Sequence, residues 1–283
     1  MNLATGWKDY EIIATGDGEK LERWKDVYLL RPDPQVIWKP NFELKKFDKL
    51  SAHYLRESSG GGRWDNIKKY PAEWVISYKD LKFKIKPMGF KHTGLFPEQA
   101  YNWDQMTKLV KEAKRPINVL NLFAYTGGAT VALTSAGATV THVDASKGMV
   151  ERAKENMKLS GLENQPVRYI VDDCFKFVER EIRRGKKYDA IVLDPPSYGR
   201  GPGGEMWKLE NNLYDFLCVC SKLLSDKPLF VLLNSYTTGL QPCVLRNLLT
   251  LAFNTDNIDA YELGLPTNEK VVLPCGASAM ARF

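Results

Sequence analysis

The chain has 283 residues, 44% hydrophobic and 26% charged, which fits a globular protein of one or two unequal domains. Apolar runs such as LFVLL at 229–233 fall far short of the roughly 20 residues that a membrane span needs. The N-terminus lacks a secretory pattern, so we expect a cytoplasmic protein without a membrane partner. A net charge of +6 is compatible with a polyanionic partner without demanding one.

The cysteines and histidines do not suggest a disulfide framework or a metal site. The five cysteines are odd in number and show no CxxC spacing, and the three histidines are far apart. We therefore expect no metal centre built from protein side chains.

Residues 1–89 predict a small β-rich N-terminal domain. They hold five of the seven tryptophans, and 17 basic residues stand against 13 acidic ones. In the segment 81–86, Leu, Phe and Ile alternate with Lys82, Lys84 and Lys86, as in a strand with one buried face. The lysine face would suit RNA phosphates, although such faces are often only solvated. The domain therefore has two open roles, contact with substrate or RNA and pairing of subunits.

Residues 90–283 alternate apolar strands with amphipathic helices. Strands are predicted at 117–124, 138–144, 167–173, 188–194 and 228–234, and a helix at 146–161 ends at a glycine. This alternation predicts an α/β fold with a doubly wound parallel sheet. The C-terminal run around the turn at 266–270 predicts a hairpin, so the sheet should end with an antiparallel strand.

The first chemical motif is the strand-to-helix turn NLFAYTGGAT at 121–130. Such a turn faces the ligand crevice at the carboxyl ends of the strands. Gly127 and Gly128 would let the backbone approach a ligand closely. The spacing is not GxGxxG, which counts against a dinucleotide-binding dehydrogenase. An ordinary connecting turn is the alternative.

Carboxylates follow the next two strands. Asp144, with Ser146 after it, ends the second strand and is placed to accept hydrogen bonds from two ribose hydroxyls. Asp172 and Asp173 end the third strand, where one carboxylate would accept a hydrogen bond from an adenine amino group. Helix capping is the alternative role for each of these positions.

The most specific motif is Asp194-Pro195-Pro196-Ser197-Tyr198 after the fourth strand. The two prolines stiffen the loop and present its carbonyls outward. Asp194 and the Pro195 carbonyl would then orient an amino acceptor, and Tyr198 would stack on a planar base. The glycine-rich loop over 198–204 resembles a lid, in which Arg200 would clamp an anionic substrate.

These motifs, in this order, resemble the class I S-adenosylmethionine-dependent methyltransferases. Within that class, the segments NLFAYTGG, VTHVDAS, AKENMKLSGL, VLDPPSYGRG and the upstream GFKHTGLFPEQ are most similar to the bacterial ribosomal RNA large-subunit methyltransferase-like family. The resemblance covers residues 90–283. It implies a Rossmann-like seven-strand sheet with an antiparallel last strand and S-adenosyl-L-methionine as cofactor. The cofactor-binding positions that it implies are Gln99, Asn121, Phe123, Tyr125, Thr126, Gly127, Asp144, Ser146, Asp172, Asp173 and Asp194.

The chain departs from the family at two places. Asn121 stands where the family usually has an acid, which puts one contact to the methionine amine in doubt. The family's cytosine-C5 members carry a cysteine after the strand that precedes Ser235-Tyr236-Thr237-Thr238, and none occurs here. Attack on an unactivated ring carbon needs a covalent nucleophile. A nitrogen or oxygen acceptor is therefore the favoured prediction.

The sequence thus predicts methyl transfer from S-adenosylmethionine to a base nitrogen, or another non-C5 acceptor, in RNA, with ribosomal RNA implied by the resemblance. The predicted catalytic residues are Asp194, Pro195, Pro196 and Tyr198. The alternatives are a methyltransferase for proteins or small molecules, a nicotinamide-dependent oxidoreductase on a similar sheet, and an RNA-binding protein without catalysis. The oligomeric state stays open, with a dimer among the options.

Overall fold

The structure is a computed structural model that describes residues 1–57, 61–89, 91–200 and 206–283, with Arg200 described by its backbone alone. The chain forms two compact units. The β-rich unit consists of Leu3–Tyr101 and Gly264–Cys275, and the α/β unit consists of Met1–Asn2, Asn102–Leu263 and Gly276–Phe283.

This division differs from the limits 1–89 and 90–283 because residues 90–101 and the segment Gly264–Cys275 also belong to the β-rich unit. Glu269 in that segment accepts hydrogen bonds from the Thr15 amide at 2.9 Å and from the Thr15 hydroxyl at 3.1 Å. The Gln35 side-chain amide also donates to the Cys275 carbonyl at 3.2 Å. Contacts made more than 200 residues apart along the chain leave no trace in local composition.

The β-rich unit contains a five-stranded sheet and a separate two-stranded sheet. The five-stranded sheet has the order β2-β3-β4-β5-β6, with β4 and β5 parallel and its other neighbours antiparallel. Phe83 and Ile85 are buried in β8 and Lys82 is exposed, as the alternation in 81–86 predicts. The strands of this part of the chain are β1 (Asn2–Leu3), β2 (Tyr10–Gly16), β3 (Glu19–Trp24), β4 (Val27–Pro32), β5 (Ala52–Arg56), β6 (Gly62–Asn66), β7 (Trp74–Tyr78) and β8 (Leu81–Ile85), and short 3-10 helices span Leu44–Lys46 and Pro97–Gln99.

A buried ion pair lies in the five-stranded sheet. Glu22 is fully buried and accepts two hydrogen bonds from the Arg31 guanidinium, at 2.5 Å and 2.7 Å. The Tyr10 hydroxyl donates a third hydrogen bond to the same carboxylate at 2.7 Å. These bonds compensate for removing the charge from water, as a buried carboxylate requires.

The α/β unit is built around an eight-stranded sheet of order β1-β16-β17-β15-β12-β9-β10-β11. Neighbours from β15 to β11 run parallel, and β17 pairs antiparallel with β15. The predicted seven-strand sheet with an antiparallel last strand is confirmed, and the two-residue β1 adds the eighth strand. The remaining elements are α1 (Ala100–Glu112), β9 (Asn118–Leu122), α2 (Gly128–Ser135), β10 (Thr139–Asp144), α3 (Lys147–Leu159), β11 (Val167–Val171), α4 (Cys174–Arg183), β12 (Ala190–Leu193), β13 (Tyr198–Arg200), β14 (Met206–Lys208), α5 (Leu209–Ser221), β15 (Phe230–Ser235), α6 (Pro242–Phe253), β16 (Ile258–Pro266) and β17 (Val272–Arg282).

The register of the parallel strands lines up the carboxyl ends of five strands. Leu122 pairs with Val143 on one side and with Leu193 on the other, and these pair in turn with Ile170 and Leu233. The next residue of each strand therefore lies in one row at the same edge of the sheet. This edge collects the predicted motifs, as expected for a doubly wound sheet.

Helix ends follow the sequence signals. The helix predicted at 146–161 is α3, and Gly161 after it has φ +70°. The Gly161 amide bonds to the Lys158 carbonyl and the Leu162 amide to the Met157 carbonyl, which ends the helix on a left-handed residue. Of the helices in the described ranges, none is long and apolar enough to cross a membrane.

Candidate active site at the carboxyl edge of the sheet

The turn after β9 has an unusual backbone. Phe123, Tyr125 and Gly127 have φ values of 56°, 51° and 81°, all in the left-handed region that non-glycine residues seldom adopt. The Ala124 amide between them donates to the Val143 carbonyl of the neighbouring strand at 3.0 Å. A turn that holds two aromatic residues in strained positions is typical of ligand-binding sites.

The glycines of this turn also have a packing role. A Cβ at Gly127 would lie 2.8 Å from the Cβ of Ala153 on α3, and a Cβ at Gly128 would lie 2.7 Å from the Trp103 ring on α1. Such distances do not occur between real side chains, so the turn sits directly against two helices. Close approach of a ligand is the predicted reason for glycine at these two positions, and close packing against α3 and α1 is a second reason.

Asp144 lies at the end of β10, beside the turn. One carboxylate oxygen accepts a hydrogen bond from the Tyr125 amide and the other from the Ser146 amide, each at 2.8 Å. Burial raises the pKa of Asp144 above its usual value, and the two amide bonds offset this only in part. Each oxygen retains a further acceptor position, so this fixed carboxylate is suited to bind a pair of hydroxyl groups.

The predicted position Asn121 is buried beneath the turn. Its side-chain amide donates to the Thr130 hydroxyl at 3.0 Å, and that hydroxyl lies 2.9 Å from Nδ1 of His142. Burial lowers the pKa of His142 to about 3, so the ring is neutral. These contacts give Asn121 a role in supporting the turn. Thr126 is also buried, and its carbonyl accepts a hydrogen bond from the Asn156 side chain.

The two acids after β11 differ in their contacts. The Asp173 carboxylate caps α4 by accepting a hydrogen bond from the Lys176 amide at 3.0 Å, as the capping alternative predicts. Asp172 forms an ion pair with Arg180 and accepts a hydrogen bond from the Asp173 amide. Both residues lie next to the Asp144 strand, because the Asp172 amide bonds to the Asp144 carbonyl at 3.1 Å.

The loop that begins at Asp194 is held from two sides. The indole Nε1 of Trp207 donates to the Pro196 carbonyl at 2.6 Å. The Ser197 hydroxyl lies 2.5 Å from the hydroxyl of Thr237, in the segment after β15. Pro195 is buried and Pro196 is exposed. The loop therefore presents a fixed stretch of backbone at the sheet edge.

Trp207 also connects this loop to the turn after β9. Its ring centroid lies 5.2 Å from that of Phe175, 5.8 Å from that of Phe123 and 6.1 Å from that of Phe216. Trp207 and Thr237 were not identified from the sequence. In the sequence, the available signal for Trp207 is its place shortly after the glycine-rich segment that follows the proline motif.

The start of the predicted long loop over 198–204 is a short strand, because residues 198–200 pair with residues 206–208. β13 and β14 pair antiparallel, with Gly199 opposite Trp207, because the bond from Trp207 to the proline loop brings the second strand alongside the first. Tyr198 is half-exposed, and its hydroxyl contacts the Met206 sulfur at 3.0 Å. Residues 201–204 and the side chain of Arg200, predicted to act as a lid and a clamp, lie outside the described residues.

The remaining predicted positions are less informative. Ser146 is exposed, and its amide is the group that contacts Asp144. Gln99 is buried in the β-rich unit at the end of the short helix Pro97–Gln99. Across the described part of the chain, no group of three or more His, Cys, Asp or Glu residues is arranged to hold a metal ion.

Cys174 lies directly behind the turn, and sequence analysis did not assign it a role. Its sulfur accepts a hydrogen bond from the Phe123 amide at 3.3 Å. Burial raises the pKa of the Cys174 thiol well above its usual range, so this group is a neutral thiol at physiological pH. A neutral, buried thiol supports the backbone of the turn and is a poor nucleophile.

The site as a whole suits a nucleoside with a reactive group pointing toward the proline loop. The fixed Asp144 carboxylate can accept hydrogen bonds from hydroxyl groups, the turn contains two aromatic residues with positive φ, and carbonyl and carboxylate acceptors follow on the adjacent strand. This donor and acceptor set fits the adenosyl compound that the sequence resemblance implies.

Comparisons with known proteins agree with this arrangement. The family model for S-adenosylmethionine-dependent methyltransferases matches residues 47–218. A ribosomal RNA large subunit methyltransferase K/L of Shewanella frigidimarina is 31% identical over 180 residues, which are 63% of this chain and 24% of that protein. A putative ribosomal RNA large subunit methyltransferase of Methanocaldococcus jannaschii is 37% identical over 128 residues, which are 45% of this chain and 32% of that protein. The chain thus spans a third or less of the length of these two relatives.

Two solved structures are also similar. The SAM-dependent methyltransferase from Agrobacterium tumefaciens is 35% identical, with a TM-score of 0.91 over 98% of this chain and 91% of that chain. A putative SAM-dependent methyltransferase from Streptococcus mutans has a TM-score of 0.74 at 16% identity over 98% of this chain and 76% of that chain, a likeness of fold alone. The match of the family model to more than half of the chain, joined to these likenesses, establishes that this protein belongs to the S-adenosylmethionine-dependent methyltransferases.

Proposed function

We propose that this methyltransferase modifies a base nitrogen in RNA, with ribosomal RNA as the substrate. The observation that carries the proposal is the loop at Asp194–Ser197, held between Trp207 and Thr237 on the strand next to the cofactor turn. An enzyme of this class chiefly has to align the acceptor with the methyl group, so a rigid acceptor loop supplies much of the rate.

In this proposal, S-adenosylmethionine supplies an electrophilic methyl group on a sulfonium when it is bound. Asp144 would accept hydrogen bonds from the two ribose hydroxyls, and the backbone around Phe123, Tyr125 and Gly127 would border the ligand. The carboxylate oxygen of Asp173 that does not cap α4 would accept a hydrogen bond from the adenine amino group. Asn121 supports the turn from below through Thr130, so we assign it no direct contact.

Asp194 and the Pro195 carbonyl would orient the acceptor nitrogen. The Pro196 carbonyl is already bonded to the Trp207 indole, so we assign the acceptor role to the preceding carbonyl. Hydrogen bonds from an amino or ring N–H to these oxygens would direct the nitrogen lone pair toward the methyl group. Tyr198, half-exposed beside the loop, would stack on the base.

A nitrogen acceptor is favoured over a ring carbon. Transfer to C5 of a pyrimidine needs a thiolate that attacks the ring. Cys174 is the cysteine that contacts the turn, and it is buried as a neutral thiol. The segment after β15 carries Ser235 and Thr237 in place of a cysteine.

RNA as the substrate rests on the names of the relatives and on the positive net charge of the chain. Because the chain spans only a fraction of those relatives, their whole activities do not transfer directly to it. We propose that the β-rich region at 1–89 contributes RNA contacts through Lys82 and Lys86, both of which are exposed. Activity on ribosomal RNA would place the enzyme in the cytoplasm.

The test is an Asp194→Ala variant. We expect it to keep most of its affinity for S-adenosylhomocysteine in calorimetry and to lose transfer of labelled methyl groups to ribosomal RNA from a strain that lacks the enzyme. Full activity of the variant would contradict the assigned role. Labelling of protein or small-molecule pools instead of RNA would support the alternative substrates, and binding of NAD instead of S-adenosylhomocysteine would support an oxidoreductase.

A further inference from the structure

A second exposed tyrosine follows the strand next to the acceptor loop. β12 and β15 are parallel neighbours, with Leu193 opposite Leu233, so Asp194 and Asn234 come next at the same edge. Tyr236 lies two residues beyond Asn234 and is 37% exposed, so part of its ring is accessible at this edge of the sheet. None of the motifs discussed above gives this residue a role.

The two tyrosines are brought to the same edge by a direct bond between their loops. The Ser197 hydroxyl lies 2.5 Å from that of Thr237. Tyr198, which is 50% exposed, directly follows the first of these residues, and Tyr236 directly precedes the second. An exposed tyrosine therefore lies next in sequence to each of the two hydrogen-bonded residues, Tyr198 beside the acceptor loop and Tyr236 in the segment after β15.

The position of Tyr236 is fixed by the backbone of β17. A Cβ at Gly276 would lie 2.9 Å from Cδ1 and 3.1 Å from Cε1 of the Tyr236 ring, so the ring rests against the glycine backbone. The preceding Asn234 is buried and accepts a hydrogen bond from Ser278 at 2.7 Å. A ring that is ordered before binding loses little conformational entropy when it stacks on a ligand.

We propose that Tyr236 is a substrate-specificity residue that forms the second wall of a base-binding slot, opposite Tyr198. This inference rests on the proposed RNA function and narrows it. A slot with two aromatic walls selects a planar heterocycle that has left its stack and rejects the aliphatic amine of a protein side chain. Tyr236 thus acts on binding of the acceptor, whereas Asp194 acts on the transfer step.

The test compares two substitutions of Tyr236 with a matched control. Tyr236→Phe keeps the ring, Tyr236→Leu removes it, and Tyr214→Leu removes an exposed tyrosine on α5. The probes are large-subunit ribosomal RNA from a strain that lacks the enzyme and fluorescein-labelled single-stranded oligoribonucleotides. Binding is measured by anisotropy with S-adenosylhomocysteine present, and transfer with labelled donor.

Stacking of one base on an aromatic ring corresponds to about a 10- to 100-fold change in affinity. We expect Tyr236→Leu to weaken oligonucleotide binding and to raise the RNA KM by that factor, with donor affinity unchanged. Tyr236→Phe should restore both values, and Tyr214→Leu should match the wild type.

Equal RNA affinity of Tyr236→Leu and the wild type would overturn the inference, and so would an equal loss in the Phe and Leu variants. These outcomes differ from failure of the proposed function, which would appear as absence of RNA methylation by the wild type itself. The binding measurement decides the role of Tyr236 in either case, because it does not require transfer.

Discussion

Replacing Gly127 with alanine tests the packing of the cofactor turn. Gly127 has φ +81°, and an L-residue in the left-handed region costs about 1–2 kcal/mol. The new methyl group would also lie 2.8 Å from the Cβ of Ala153, and overpacking of this kind costs about 1–3 kcal/mol. Together, Gly127→Ala should destabilise the folded state by about 2–5 kcal/mol.

Gly137 provides a matched control. It has φ +93°, and no atom lies within 4 Å of a Cβ built on it. Gly137→Ala should therefore lower the free energy of unfolding only by the backbone contribution of about 1–2 kcal/mol. The difference between the two variants, measured by urea unfolding, gives the contribution of the contact between the turn and α3.

A second substitution separates strain from packing. Ala153→Gly in α3 alone should cost about 1 kcal/mol, because glycine weakens a helix interior. The double variant Gly127→Ala/Ala153→Gly should be more stable, by about 1–3 kcal/mol, than the sum of the two single losses in free energy of unfolding, since Ala153→Gly removes the clashing methyl group. Binding of S-adenosylhomocysteine, measured by calorimetry, should fall in Gly127→Ala and return in the double variant. Strict additivity of the two substitutions, or equal effects of Gly127→Ala and Gly137→Ala, would refute this reasoning.

Three further predictions concern other parts of the molecule. Trp207→Phe keeps an aromatic ring in place but removes the hydrogen bond to the Pro196 carbonyl. In steady-state kinetics kcat should fall about tenfold, whereas the affinity for S-adenosylhomocysteine in calorimetry should not change. Burial raises the pKa of Asp144, and the protonated carboxyl loses acceptor capacity. On acidification, the affinity for S-adenosylhomocysteine should therefore decline at a higher pH than it would with an ordinary aspartate. In Asp144→Asn, this affinity should be low and should not vary with pH in that range. Arg31→Met removes the cation that donates two hydrogen bonds to the buried Glu22 and leaves Lys20, whose Nζ lies 4.0 Å from the same carboxylate. It should lower the free energy of unfolding by about 3–5 kcal/mol in urea titrations, whereas an effect under about 1 kcal/mol would show that Lys20 or water compensates for the lost guanidinium.

The positions of the strand-end motifs followed from the sequence because topology determines them. Once a run of alternating strands and helices predicts a parallel sheet, the residues after the strands must meet at one edge. Asp144 and Asp194 were assigned in this way, and the register places their strands on either side of β9. The prediction required only the period of the apolar residues and the order of the motifs.

Side-chain directions at the same edge did not follow from the sequence. Asn121 was considered for a ligand contact because of its place in the motif, yet its amide bonds to Thr130 below the turn. Residues 198–200 were predicted as part of a loop, yet they pair with residues 206–208, beside the bond from Trp207 to the Pro196 carbonyl. Contacts of this kind depend on the tertiary structure.

The helix α1 was also not predicted from the sequence. Trp103, Met106 and Val110 are buried on one face at helical spacing. The helix follows directly from the short 3-10 helix Pro97–Gln99, so its start lacks the signal on which boundary prediction depends. One buried face of three residues is too short a pattern to distinguish it from a loop without that signal.

The aromatic contact between Phe123 and Trp207 has a mechanistic consequence. Phe123 belongs to the turn that borders the proposed donor site, and Trp207 holds the Pro196 carbonyl of the proposed acceptor loop. The two halves of the reaction are therefore positioned by one packed cluster, and a shift of either loop moves the other. Since displacement of about 1 Å can cost a hundredfold in rate, this coupling explains why a residue that contacts neither substrate is expected to affect kcat.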